Sequence, residues 1–173
     1  MFPWNNAGEP VCWYCPDPRF VLYPKNLKVS RSMKTILNSR KFTFSIDKAF
    51  TDVIRNCRIS KGRGEGETWI SDEIENAYIM LFEKGLAHSA EAWRGDKLVG
   101  GLYGVQLGKV FFGESMFADD SNASKFAFIN YVREAEKKGV EIIDCQVYTP
   151  HLESLGAEFI PRKKFIETLG KLI

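Results

Sequence analysis

The chain is predicted to be an α+β protein, on three observations. Two amphipathic helices precede a run of strands, the strands are joined by glycine turns into a meander, and the C-terminal third alternates helix and strand. Its 173 residues allow one domain, or one domain with a small appendage, and can bury a substantial core. Hydrophobic content of 45 % with 13 % aromatics excludes a disordered chain. Charges break every apolar run short of membrane-spanning length, and Met1-Phe2-Pro3-Trp4 opens nothing like a signal peptide.

Residues 1–18, rich in Pro, Gly and Asn, read as an irregular arm ahead of a domain over 19–173. After Ser45, a candidate N-cap, Ile46, Ala49, Phe50, Val53, Ile54 and Cys57 make one helical stripe. Ser71 opens a second helix, with Asp72, Glu73 and Glu75 in its first turn and Gly85 at its end. Segments 87–94, 97–107 and 109–117, separated by Gly95-Asp96 and Gly108, predict consecutive antiparallel hairpins. A helix over about 122–138 ends at Gly139, with Phe128, Tyr131, Val132 and Ala135 aligned. A strand at 140–147, a short helix at 151–155, a strand at 157–160 and a helix from Pro161 complete the order.

The net charge of +2 conceals an asymmetry. From Arg19 to Arg63 there are twelve basic residues against two acids, a local +10 that leaves −8 for the remainder. With Phe20, Tyr23, Phe42 and Phe44 interleaved, this third suits a polyanion such as RNA, or simply forms a solvated basic face. Cys12 and Cys15 form a C-x-x-C pair without a second pair or a nearby His, short of a zinc site. No strand leads into it, so reduced thiols are expected there. Neither His88 nor His151 has a neighbour that would make it catalytic, and no metal-ligand spacing is legible.

The order of elements matches the N-acyltransferase fold of the acetyltransferase superfamily, with His151–Phe159 resembling its closing helix and strand. Most members cradle the pyrophosphate of coenzyme A in a glycine-rich turn that opens a helix. The corresponding stretch here, Met116–Lys125, carries Asp119 and Asp120 instead of glycines. The run Lys61-Gly-Arg-Gly-Glu-Gly66 lacks the Lys-Ser/Thr and the preceding strand of a phosphate loop, and reads as a surface loop. In the strand Ile142–Gln146, Asp144 and Gln146 point to one face, either closing a loop or handling an amine. Glu114, within Val110–Phe117, wants a cation or a donor; a lysine from the basic third would serve. Leu102, Phe111, Met116, Phe128 and Tyr131 either line an apolar cleft or are plain core.

Local strings then identify a family. Phe2-Pro3-Trp4, Pro16-Asp17-Pro18-Arg19, Ser30-Arg31-Ser32-Met33-Lys34, Glu67-Thr68-Trp69-Ile70, Gly100–Val105, Gly113–Phe117, Asn122–Lys125, Asp144-Cys145-Gln146 and Ser154–Ala157 occur in order. Together they resemble the bacterial leucyl/phenylalanyl-tRNA–protein transferases. That resemblance implies an acetyltransferase-like mixed sheet flanked by helices, with tRNA in place of coenzyme A and no cofactor or metal. It also implies transfer of Leu or Phe from aminoacyl-tRNA to the N-terminal Lys or Arg of acceptor proteins. Such an enzyme would be cytoplasmic and would serve the N-degron pathway. By position, Trp4 and Trp69 would stack on the 3′-terminal adenosine, and Arg31 and Lys34 would meet tRNA phosphates. Leu102, Phe111, Met116, Phe128 and Tyr131 would line the aminoacyl pocket. Asp144 and Gln146 would activate the incoming amine, with Glu114 beside them. Residues 1–18 would be the remnant of an N-terminal domain. The alternatives are a coenzyme-A-dependent N-acetyltransferase and a transfer-inactive RNA-binding remnant.

Overall fold

A computed structural model describes residues 1–4, 10–59 and 68–173. The glycine-rich run 61–66 therefore lies outside the described residues. A seven-stranded mixed sheet forms the centre, in the order β4-β5-β6-β7-β8-β3-β9. In chain order its strands are β3 (Arg19–Leu22), β4 (Thr43–Ile46), β5 (Ala87–Arg94), β6 (Lys97–Leu107), β7 (Val110–Ala118), β8 (Ile142–Gln146) and β9 (Glu158–Ile160). Strands β5, β6 and β7 form the expected meander, with Gly95 and Gly108 taking positive φ in the two turns. A separate hairpin, β1 (Phe2–Trp4) with β2 (Cys12–Tyr14), occupies the arm. That segment is thus not irregular throughout, and Cys12 itself lies on a strand.

One face of the sheet carries α1 (Arg31–Asn38), α4 (Ala123–Lys137) and α5 (Pro150–Ser154). Their core joins Met33, Phe126, Phe128, Tyr131 and Leu152 to Phe20, Leu102, Phe111 and Ile143. The other face carries α2 (Phe50–Ile59) and α3 (Asp72–Glu83) over β5–β7, and α6 (Arg162–Leu172) over β8, β3 and β9. The caps of α3 are as expected: Ser71 Oγ accepts from the Ile74 N–H, and Gly85 lies at φ +71°. Ser45 departs from expectation. It sits in β4 and donates to Glu91, and α2 begins five residues later. Phe50, Val53, Ile54 and Cys57 form the buried stripe of α2 as expected, but Ile46 belongs with Phe44 to an edge strand on β5. His88 does have an acidic partner, Asp47 Oδ2 at 2.7 Å from Nδ1, brought by β4 pairing with β5.

Two irregularities position the site. Strands β7 and β8 pair in parallel only from Val110–Ile142 to Phe112–Asp144, and then part. At the parting point each strand bulges. Tyr103 faces Ser115 while Gly104 faces Gly113, so Glu114 is the extra residue on β7. Phe20 faces Gln146 while Val21 faces Asp144, so Cys145 is the extra residue on β8.

Candidate active site

The parted strands open a cleft of about 470 Å³. Gly113–Ala118 of β7 form one wall and Ile143–Val147 the other. Trp4 of the arm, Trp69 ahead of α3, Phe128 of α4 and His151 of α5 close the sides. At the end of β8, Gln146 takes φ +64° and Val147 N–H bonds back to the Cys145 carbonyl at 2.8 Å, a γ-turn of the strained hand. What holds this turn is Asp144, whose Oδ1 accepts from the Gln146 N–H at 3.0 Å.

Asp144 is fully buried and bound to Arg19 at both oxygens, at 2.8 Å and 2.5 Å. The Arg19 guanidinium lies between the rings of Phe2 and Phe165, 4.9 Å and 5.1 Å from their centroids. In the sequence Arg19 belongs to the basic third suited to a polyanion. The fold instead buries it on β3, where it neutralises Asp144.

Glu114 is bonded to no guanidinium; the N-terminal ammonium acts on it only through its field. Gln146 Nε2 donates to its Oε2 at 3.1 Å, and the Tyr78 hydroxyl donates from α3. Burial pushes the Glu114 carboxyl up to about 7, although both hydrogen bonds pull the other way. Its donors are therefore an amide and a phenol rather than a lysine of the basic third. Burial and the neighbouring carboxylate raise the Tyr78 hydroxyl far enough to keep it a donor. His151 is the converse case: burial and Lys125 lower its imidazole to about 4, leaving a neutral ring against the cleft.

Of the residues singled out in the sequence, Asp144, Gln146, Glu114, Leu102, Met116, Phe128, Trp4 and Trp69 all line this cleft. Phe111 and Tyr131 do not. Their rings pack 4.4 Å apart in the core behind Leu102 and Phe128. A Cβ at Gly104 would fall 2.5 Å from the Phe111 ring, so this glycine lets Phe111 turn inward. Arg31 and Lys34 are exposed on α1, away from the cleft lining. The segment leading into α1 is tied to the end of α5 by Lys28 N–H bonding the Leu155 carbonyl at 2.8 Å. Lys25, Lys28, Arg31, Lys34, Arg40 and Lys41 are all exposed, with no acid between them in the chain. By contrast Arg55 and Arg58 pair with Glu75, and Lys61 and Arg63 lie outside the described residues.

Arg19, Tyr78 and His151 were missed as site residues. Arg19 and Asp144 stand 125 positions apart and meet only through the β3–β8 pairing. Where an acetyl-donor pyrophosphate would need free N–H groups, Asp119 and Asp120 precede α4, and Asp120 pairs with Arg94 at 3.1 Å. These residues do not fit a pyrophosphate.

The sequence model of the family described as leucyl/phenylalanyl-tRNA protein transferase matches residues 21–170. Leucyl/phenylalanyl-tRNA–protein transferase of Christiangramia forsetii is 52 % identical over 171 residues, covering 98 % of this chain and 81 % of its own. The enzyme of the same name from Nitrosospira multiformis is 51 % identical, over 100 % of this chain and 74 % of its own. The chain belongs to the leucyl/phenylalanyl-tRNA protein transferase family. Among solved structures, L-PGS from Bacillus licheniformis superposes with a TM-score of 0.53 at 11 % identity, covering 74 % of this chain and 45 % of that one. That likeness is one of fold: an α+β architecture with a mixed sheet flanked by helices. Among the described residues no helix is long and apolar enough to cross a membrane.

Proposed function

We propose that the cleft holds the aminoacyl end of leucyl- or phenylalanyl-tRNA, and that the chain transfers that aminoacyl group to the N-terminal Lys or Arg of acceptor proteins. Residues 19–173 form the catalytic domain and 1–18 the arm that closes it, working in the cytoplasm where charged tRNA is present. The observation that carries this reading is the pair of carboxylates at one strand parting, of which Asp144 is bonded to a guanidinium and Glu114 to an amide and a phenol.

An aminoacyl ester is already activated, so the protein needs to align the amine and take its proton. The neutral α-amine attacks the ester carbonyl, a C–N bond forms, and the ester C–O bond breaks with the ribose oxygen leaving. Glu114, with its carboxyl near neutrality, receives the proton that the amine loses and can return it to the leaving oxygen. Gln146 commits its Nε2 to Glu114, so its carbonyl oxygen is the end that accepts an amine hydrogen. Asp144 is a positioning residue, because its charge is held by Arg19 and its Oδ1 fixes the Gln146 backbone. Trp69 and Trp4 offer stacking faces to the terminal adenosine, which tolerates any base. Leu102, Met116 and Phe128 surround the aminoacyl side chain, with Phe111 and Tyr131 setting the depth from behind.

Incubating the protein with leucyl-tRNA and a peptide beginning with Arg tests this. The expected product is the peptide heavier by one leucine residue. An unchanged peptide mass, with tRNA still bound, would overturn transfer in favour of RNA binding alone.

A further inference from the structure

A second cavity, of about 550 Å³, lies on the α3 and α6 face of the sheet. It runs between Ala77 and Leu81 of α3 and Leu169 of α6, over Val105 and Phe112, with Trp13 of the arm above. Glu114 lines this groove as well as the cleft, because the bulge sets it where β7 leaves β8. Strand β1 divides the two spaces, with Pro3 facing the groove and Trp4 the cleft, as alternation along a strand requires. Tyr78, the donor to Glu114, belongs to the groove wall. The charges along the groove are Glu114, Glu73, exposed in the first turn of α3, and the N-terminal ammonium of Met1, whose field reaches Glu114.

We propose that this groove admits the acceptor: a polypeptide N-terminus with a cationic first side chain, its α-amine at Glu114 and its basic head at Glu73. The proposal rests on the transfer reading and adds the acceptor's route and the contact that selects its first residue. Two substrates that react at one carbonyl must approach it from different directions. Glu114 is open to both cavities, so an amine there can lose its proton while facing an ester in the cleft. The lining is apolar between the two acids, which suits the methylene stem of Lys or Arg, with its charge reaching water and a carboxylate at the outer end. Glu73 and Ala77 are one turn apart on the same helix face, so the stem would cross Ala77 to reach Glu73.

Direct titration of a fluorescently labelled peptide beginning with Arg reads the groove without turnover. Ala77 is exposed, so Ala77→Trp fills the groove without disturbing the core. Peptide affinity should fall by about tenfold or more while affinity for leucyl-tRNA stays unchanged. Glu73→Lys should lower kcat/KM for the Arg peptide by about tenfold and leave a norleucine-initiated peptide unaffected, a loss that distinguishes charge recognition from misfolding. Peptide binding unchanged in Ala77→Trp would overturn the proposal. So would a parallel loss of tRNA affinity, or sedimentation showing a second copy of the chain seated on this face. Groove-dependent peptide binding without any leucine transfer by the unmodified protein would count against the transfer reading alone.

Discussion

Asp144 and Glu114 face the same cleft from strands that separate just beyond them, and their surroundings are opposite. Asp144 is enclosed with a guanidinium at both oxygens, which is itself held between two aromatic rings. Glu114 is bonded to an amide and a phenol, neither of which carries charge, and its carboxyl rises to about 7. An ion-paired carboxylate is a poor proton acceptor but a stable fixture, and an unpaired one near neutrality accepts and releases protons. Two acids a few ångströms from one cleft are thus assigned different work by their neighbours, not by their identity. On the proposed reading, Asp144 keeps the strained turn at Gln146 in place and Glu114 handles the proton.

The largest effect that separates them follows from breaking the buried pair. Arg19→Met leaves Asp144 charged and uncompensated in the interior, so unfolding by denaturant should show a loss of about 3–5 kcal/mol. Replacing both partners, Arg19→Met with Asp144→Leu, should restore much of that stability while transfer stays low, because nothing then holds the Gln146 N–H. A double variant that transfers normally would show that Asp144 contributes charge pairing and no positioning.

Glu114→Gln should cost less in stability and more selectively in rate. Loss of a general base lowers single-turnover transfer by about two to four powers of ten, with tRNA affinity retained. The pH profile sharpens the contrast. With acceptor saturating, the rate should rise with pH and level off above about 7, where Glu114 is ionised. That limb should vanish in Glu114→Gln. Stability moves the other way. Because the folded carboxyl titrates near 7 and the unfolded one near 4.5, the folded chain holds a proton that the unfolded chain releases between those values. The stability this adds is complete below 4.5 and is lost as pH climbs through 7. Denaturation midpoints of the unmodified protein and Glu114→Gln across that window would expose it. A parallel rise of rate and stability would remove Glu114 from the proton's path.

Most of the sheet's second half was readable because its signals are local. The Ser71 cap, the Gly85 and Gly139 stops and the turns at Gly95 and Gly108 each lie within a few residues of the element they end. The elements missed are those whose signal is tertiary or was masked by charge. Strand β3 is four residues long, begins with an arginine and gains its meaning only between β8 and β9. Helix α1 carries a readable signal, Ser30 as cap with Met33, Ile36 and Leu37 at helical spacing, but at eight residues it is short and lies within a strongly basic stretch. The bulge at Glu114 has no sequence mark at all. It changes which face each side of β7 presents, so Phe111 and Met116 both turn toward α4 although five residues apart. For this reason strand alternation alone could not say which apolar residues enter the cleft.

The two tryptophans make a milder version of the same comparison, one enclosed and one exposed. Trp69 is 8 % exposed and part of the core under α3, whereas Trp4 is 48 % exposed on the arm. Trp69→Ala should weaken leucyl-tRNA binding by about 1–3 kcal/mol, and Trp4→Ala by the lower end of that range, since ordering the arm offsets part of its stacking. Equal losses would mean that the arm is already rigid in the free protein.

The smallest effect lies on α1, far in kind from either carboxylate. Arg31 and Lys34 are exposed and sit in a stretch of six basic residues without an acid, anchored to α5 beside the cleft. Each phosphate contact releases counterions, so the slope of log affinity against log salt should flatten by about 0.7–0.9 for each of Arg31→Gln and Lys34→Gln. The change should be the same for leucyl-, phenylalanyl- and uncharged tRNA, because phosphates carry no information about the amino acid. If either substitution instead altered the ranking of leucine over phenylalanine, that side chain would reach the cleft. Phosphate grip and aminoacyl selection would then no longer divide between α1 and the parted strands.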